Sequence, residues 1–171
     1  MVKQLESFSI FELLVILALI GILTSITVYP VKNFLEQNRT LFYADTIKDA
    51  ISFTRMSAIM LGQKVIFCHD NKSYICKMMS DQPFVTTEKG KILRYFPKAD
   101  VRDKIYFRAS GKGKRYNLTF MSNGILDGHN GSFFYCPNNR RENAMAIIFN
   151  KSGRIRLDSK DPQGNRINCH L

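Results

Sequence analysis

The chain begins with a short polar stretch, 1–7, and then turns almost wholly apolar from Phe8 to Val28. A run of this kind is about the ~20 residues a helix needs to cross a bilayer. It carries one charge, Glu12, close to its N-terminal end. A carboxylate inside a membrane helix is costly and calls for a cationic partner. Pro30 closes the run and is expected to kink or interrupt the helix. From 31 to 61 a helical pattern resumes. Val31, Phe34, Leu35, Phe42, Ile47, Ile51, Met56 and Ile59 recur at roughly helical spacing, with Lys32, Glu36, Arg39, Asp45, Lys48 and Asp49 between them. The reading is one long helix, hydrophobic all round in its first half and amphipathic in its second, with Gly62 as its C-cap. Its methionine and aromatic stripe is read as core packing.

From Lys64 onward the period shortens to that of strands separated by turn residues. Strands are expected at 64–69, 73–79, 92–96, 104–108, 115–120, 132–136, 144–150 and 154–158. Asp81-Gln-Pro83, Gly111-Lys-Gly113, Asn123-Gly124 and Pro137-Asn-Asn139 read as punctuation. The fold class is α+β: a long N-terminal helix packed on an antiparallel β-sheet or sandwich domain. No linker and no internal repeat divides 31–171, which holds the amphipathic helix 31–61 and the β domain 64–171.

The opening residues resemble the N-terminal segment of type IV pilins and type II secretion pseudopilins. That pattern is a polar leader, a cut, an aromatic first residue and a glutamate fifth after the cut. Here it gives leader 1–7, a cut between Ser7 and Phe8, and Glu12 in the fifth place. Gly21 falls where the family has a glycine in the helix, whereas Ser7 stands where the family has glycine. The resemblance implies cleavage by prepilin peptidase, an N-methylated Phe8, and a Glu12 that neutralises the amino terminus of a neighbouring pilin in a filament. It places 8–30 first in the inner membrane, with the rest in the periplasm, and then in the filament core at the cell surface.

Composition adds a partner and a compartment. Of 171 residues, 25 are Lys or Arg and 14 Asp or Glu, a formal net charge of +11. Lys3 and Glu6 cancel, so losing the leader leaves that balance unchanged. A chain this basic suits polyanions: nucleic acid, anionic lipid or an acidic surface. The four cysteines downstream of an export segment suggest disulfides in an oxidising compartment. Cys68 and Cys76 flank a segment with a turn-forming centre, so the expected pairs are Cys68–Cys76 and Cys136–Cys169. Zinc at Cys68, His69 and Cys76 is the alternative, but the paired ligand spacing of zinc sites is missing.

The C-terminal hairpin carries the clearest site signal. Ala144–Phe149 is an apolar strand, 150–153 a tight connection with Gly153 suited to positive φ, and 154–157 the return strand. A period of two sends Ile155 and Leu157 to the core and puts Arg154 and Arg156 together on the opposite face, with Lys151 at the tip. Gly153, Arg154 and Arg156 resemble the Gly-Arg-x-Arg motif of minor pilins of the GspH/FimT family, as do the Cys68–Cys76 hairpin and the Phe120–Gly124 segment. In FimT proteins used for natural transformation that motif is implicated in binding incoming DNA. By position Arg154 and Arg156 are the motif arginines. Lys151 holds the preceding basic place, where an arginine would bind phosphate bidentately. Possible auxiliary contacts are Lys112, Lys114 and Arg115 in a glycine-rich stretch without the Walker pattern, and Arg140 and Arg141 after Pro137. Lys160 and Arg166 lie in the tail that a bridge at Cys169 would tether nearby.

No catalytic constellation or cofactor motif emerges, and no metal site is favoured. His69, His129 and His170 are scattered, and Gly124–Gly128 reads as a turn. The expected function is a minor pilin that captures DNA through phosphate contacts. The alternative is a structural minor pilin or H-type pseudopilin that initiates or caps a filament without touching DNA.

Overall fold

The computed structural model describes residues 9–69, 76, 82–109, 117–128 and 130–169, without the side chains at 25–30, 32 and 109. Ser7, Phe8, the strand expected at 73–79 apart from Cys76, and Lys112, Lys114 and Arg115 lie outside these residues. The chain forms two units, Met1–Gln37 and Asn38–Leu171.

A single helix, α1, runs Ile10–Leu61. Helical structure passes through Pro30 without a break, so the expected interruption is absent. From Ile10 to Leu23 its side chains, Glu12 apart, are apolar and exposed on every side: Ile10, Phe11, Leu14, Leu17 and Ile20 among them. Glu12 sits in the first turn, where the helix dipole favours an anion. Among the described residues no helix is long and apolar enough to cross a membrane.

In the second unit the helix buries Tyr43, Ala44, Ile47, Ala50, Ile51, Thr54, Ser57 and Ala58, a stripe at i, i+3 and i+4 spacing. This differs from the stripe read in the sequence. Ile47 and Ile51 are core, but Val31, Phe34, Leu35, Phe42, Met56 and Ile59 are exposed. The physical reason is size: alanine, serine and threonine on the buried face let the helix axis approach the sheets closely. Thr54 is tolerated there because its hydroxyl donates to the Ala50 carbonyl at 2.6 Å.

The β domain holds two four-stranded antiparallel sheets. The first, in the order β3-β2-β1-β5, joins β1 Val65–Cys68, β2 Phe84–Thr87, β3 Ile92–Tyr95 and β5 Asn117–Phe120. The second, in the order β4-β6-β7-β8, joins β4 Lys104–Ala109, β6 Gly131–Cys136, β7 Met145–Phe149 and β8 Ile155–Asp158. Strand β2 was not expected from the sequence. Its four residues are all buried, so it shows no alternation and reads as part of the neighbouring turns. One core joins the α1 stripe to Val65, Phe67 and Val85 of the first sheet and Phe133, Tyr135, Ile147 and Phe149 of the second. Disulfides join Cys68 to Cys76 and Cys136 to Cys169. The second bridge holds Ile167 and Cys169 of the tail against Phe134, Cys136 and Ala146.

A buried polar cluster ties α1 to the second sheet. The Tyr135 hydroxyl donates to the Asp103 carboxylate, which also accepts from the Asn138 amide at 2.9 Å and from Arg39 at 3.0 Å. Tyr43 stacks on Tyr135 with ring centroids 4.8 Å apart. Burial pushes both phenols well above the ordinary value of 10.0, and the neighbouring Asp103 adds to this at Tyr135. Above pH 10 the folded chain therefore keeps protons that the unfolded chain has lost. Stability is expected to fall as pH rises from there, by up to about 1.4 kcal/mol per pH unit for each tyrosine. Urea midpoints of the full chain at pH 9 and 11 check this. The drop should shrink in Tyr43→Phe, and a drop identical in the parent and in Tyr43→Phe would refute the assignment for that residue.

Candidate nucleic-acid interface

The hairpin between β7 and β8 is built as its sequence dictates. Asn150 opens the turn: its side-chain oxygen accepts from the Arg154 amide at 2.9 Å and from the Ser152 hydroxyl at 2.8 Å. The Gly153 amide closes the turn on the Asn150 carbonyl at 2.9 Å. Register pairs Phe149 with Ile155, Ile148 with Arg156 and Ile147 with Leu157. Ile155 and Leu157 pack against the core, so Arg154 and Arg156 point away from it, about 7 Å apart along the strand. Lys151, Arg154 and Arg156 are all exposed. Among the described residues no carboxylate pairs with any of them.

The turn is also fixed from outside. The Lys151 amide donates to Asn130 Oδ1 at 2.8 Å, and its carbonyl accepts from the Leu126 amide at 2.9 Å. Beneath the turn lies Arg55 of α1, which sequence reasoning missed. Its Nε donates to the Gly124 carbonyl at 3.1 Å. Gly153 is buried with φ +80°, and a Cβ there would come within 2.6 Å of Arg55 Cδ. Gly124, with φ +75°, would bring a Cβ within 2.6 Å of Ile59 Cδ1. Both positions combine a left-handed backbone with a close approach, so glycine is the residue that fits. Arg55 thus ties the Gly124 turn to α1 by a hydrogen bond and lies close under Gly153; it makes no ion pair among the described residues and adds a fourth cation beneath the β7–β8 turn. Nothing local in the sequence marks it, because its partners lie far along the chain.

The other expected contacts fall elsewhere. Arg140 and Arg141 are exposed but sit in the β6–β7 connection. That places them at the far end of β7 from the 150–153 turn, about 17 Å away for a five-residue strand. They do not extend the patch at the turn. Arg141 instead reaches Asn168 Oδ1 at 3.3 Å. Arg166 belongs to the tail, in a bridge with Lys160. His69 packs against the rings of Phe67 and Phe133, and Cys68 and Cys76 are consumed by their disulfide. Among the described residues no cluster of His, Cys, Asp or Glu could hold a metal ion. The arrangement at the turn is a cationic surface on a hydrogen-bonded backbone.

The family model of the type II transport protein GspH matches residues 43–153, so the match ends at Gly153 and Arg154 and Arg156 lie just past it. Two crystal structures of the Pseudomonas aeruginosa (strain PAO1) type IV minor pilin FimU are similar in fold. In space group P21 the identity is 21%, the match covers 77% of this chain and 98% of that one, and the TM-score is 0.55. In space group P65 the identity is 21%, the coverage 71% and 95%, and the TM-score 0.50. No curated protein matches the chain. A family model spanning most of the helix–sheet unit, on a long helix packed against antiparallel sheets, shows that the chain belongs to the GspH family of type II transport proteins.

Proposed function

We propose that this chain is a minor pilin that binds DNA without sequence preference through Lys151, Arg154 and Arg156 and serves DNA uptake in natural transformation. The observation that carries the reading is the β7–β8 turn, where exposed cations with no carboxylate partner among the described residues stand on a backbone held by Asn150 and Asn130. A backbone already held in place adds no ordering cost on binding beyond that of the side chains, so more of the phosphate attraction is kept. Cations that neutralise phosphates release counterions, which gives salt-sensitive contact that reads no bases. Affinities of ~10⁻⁴ to 10⁻⁶ M are usual for this mode at physiological salt.

In this reading residues 1–7 are a leader removed by prepilin peptidase between Ser7 and Phe8, and Phe8 becomes the methylated N-terminus. Residues 8–30 anchor the chain in the inner membrane, with the β domain in the periplasm. In the assembled pilus they pack among other pilins, with Glu12 neutralising a neighbour's terminus. The exposed apolar side chains from Ile10 to Ile20 support it, since a helix apolar on all sides needs lipid or protein around it. The same observation favours the second reading, a structural minor pilin or pseudopilin that starts or caps a filament and leaves DNA alone.

Fluorescence anisotropy of a labelled duplex with the full chain, held in a neutral detergent, separates the two. The parent should bind with a steep dependence on salt. A Lys151→Gln, Arg154→Gln, Arg156→Gln variant should bind about 100-fold more weakly, its salt slope reduced by about 3. A parent that does not bind leaves the structural subunit as the function.

A further inference from the structure

We propose that the nucleic-acid contact has a second point beyond the β7–β8 turn, a phosphodiester subsite formed by Arg108 and Arg166 on the second sheet. The inference rests on the DNA-binding reading above.

Strand register carries the first step. Arg108 of β4 pairs with Ser132 of β6, Ser132 with Ile148 of β7, and Ile148 with Arg156 of β8. Residues directly opposite one another in a sheet share a face. Their sequence neighbours Phe107, Phe133, Ile147, Ile155 and Leu157 belong to the core, so this row lies on the other face of the sheet, where Ser132 is buried and Ile148 packs against the cluster that holds Ile167 of the tail. Arg108 and Arg156 are exposed at its two ends, with no charge between them. Three strand spacings separate them, about 14 Å. A nucleic-acid strand advances about 3.4 Å per phosphate along its axis, so the row matches roughly four nucleotide steps. The row also lies near the end of the sheet from which the 150–153 turn springs, since Ile148 is one residue short of the end of β7.

The second step is the cavity at the Arg108 end. It has a volume of about 40 Å³ and is lined by Arg108, Phe134, Asp161, Arg166 and Asn168. The Arg108 guanidinium sits 5.9 Å from the Phe134 ring centroid, which orients its planar donor fork without neutralising it. Arg166 is exposed and, like Arg108, makes no ion pair among the described residues. The one carboxylate in the lining is partly committed: Asp161 Oδ1 accepts the Gln163 amide at 3.0 Å and the Asn165 amide at 2.7 Å. Two guanidinium groups against one occupied carboxylate leave the site positive. Paired forks are suited to the oxygens of a phosphodiester. The Cys136–Cys169 bridge and the packing of Ile167 on Phe134 bring the Arg166 segment to this place.

The test uses the full chain in neutral detergent and a labelled 20-base-pair duplex of mixed sequence, titrated at several salt concentrations. Arg108→Gln with Arg166→Gln should weaken binding about tenfold and lower the salt slope by about 2. Arg166→Gln alone, in the exposed tail, should give about threefold and a slope change near 1, which guards against a folding defect in the double variant. Lys89→Gln, an exposed cation in the β2–β3 turn of the other sheet, should change neither. If the parent binds and the double variant matches it, the contact ends at the turn and this inference falls while DNA binding stands. If Lys89→Gln weakens binding as much as Arg166→Gln, net charge explains the effect and the subsite is overturned. If the parent does not bind, both proposals fail together.

Discussion

Replacing Asp103 with alanine is expected to destabilise the β domain by about 3–5 kcal/mol, the cost of removing one partner from a buried ion pair. The Asp103 side chain is 0% exposed, and its Arg39 partner is 33% exposed. The carboxylate receives hydrogens from the Tyr135 hydroxyl, the Asn138 amide and Arg39. Alanine strands all three donors. Arg39 keeps only its longer contact to Asp100, at 3.3 Å, and its Nε already lacks a partner. The loss reaches beyond one bond because the three donors come from α1, from β6 and from the turn after β6, so the helix and the second sheet share this anchor. Asp103→Asn keeps an acceptor of the same shape and should cost about 1–2 kcal/mol, the scale of weakening hydrogen bonds to a charged group. Urea denaturation of the full chain at pH 7 measures both. Equal losses for the two variants would show that the charge of Asp103 carries the whole effect and that an acceptor of the same shape contributes nothing without it.

How much of this was readable before the structure depends on the range of each interaction. The long helix and its end at Leu61 follow from local apolar spacing and Gly62. Strand β8 follows from alternation, and β6 and β7 from apolar runs bounded by turn residues. The buried face of α1 did not, because pattern reading weights large residues. Phe42 and Met56 looked like core, yet the sheets pack on Ala44, Ala50 and Ala58. Small residues on a helix face carry little hydrophobic signal and much geometric consequence, since they set how near the backbone can come. Strand β2 was hidden for a related reason: Phe84–Thr87 is short and buried on both faces, so it lacks the period of two.

The candidate site divides the same way. Lys151, Arg154 and Arg156 could be placed together from one hairpin, with no long-range assumption. Arg55 could not, since its contact with Gly124 spans 69 positions. Arg108 looked like any exposed strand residue until register aligned it with Arg156 across two intervening strands. Arg140 and Arg141 show the reverse relation between sequence and space. They are near the hairpin in sequence, yet β7 carries the chain away from them to the other end of the sheet.

Removing the Cys136–Cys169 bridge as Cys136→Ala with Cys169→Ala should cost about 3–4 kcal/mol and should also weaken DNA binding. The bridge closes a sequence separation of 33, and on the chain-entropy account a loop of that length gives a loss of about this size. Both cysteines are fully buried beside Phe134, Ala146 and Ile167, so alanine leaves no stray thiol and adds some packing loss. The tail is otherwise held by the packing of Ile167 on Phe134 and by two hydrogen bonds: the Tyr106 hydroxyl donates to the Cys169 carbonyl at 2.7 Å, and Arg141 donates to Asn168 Oδ1. Without the bridge Arg166 should leave the side of Arg108, lowering the salt slope of binding by about 1 while Lys151, Arg154 and Arg156 stay in place. The comparison is Cys68→Ala with Cys76→Ala, which opens a separation of only 8 in the other sheet. That variant should lose about 2–3 kcal/mol and bind DNA as the parent does. Denaturation and salt titrations on the two variants then read two different roles from two disulfides. Identical binding by both would mean that the bridge at Cys169 stabilises the fold without positioning any contact to DNA.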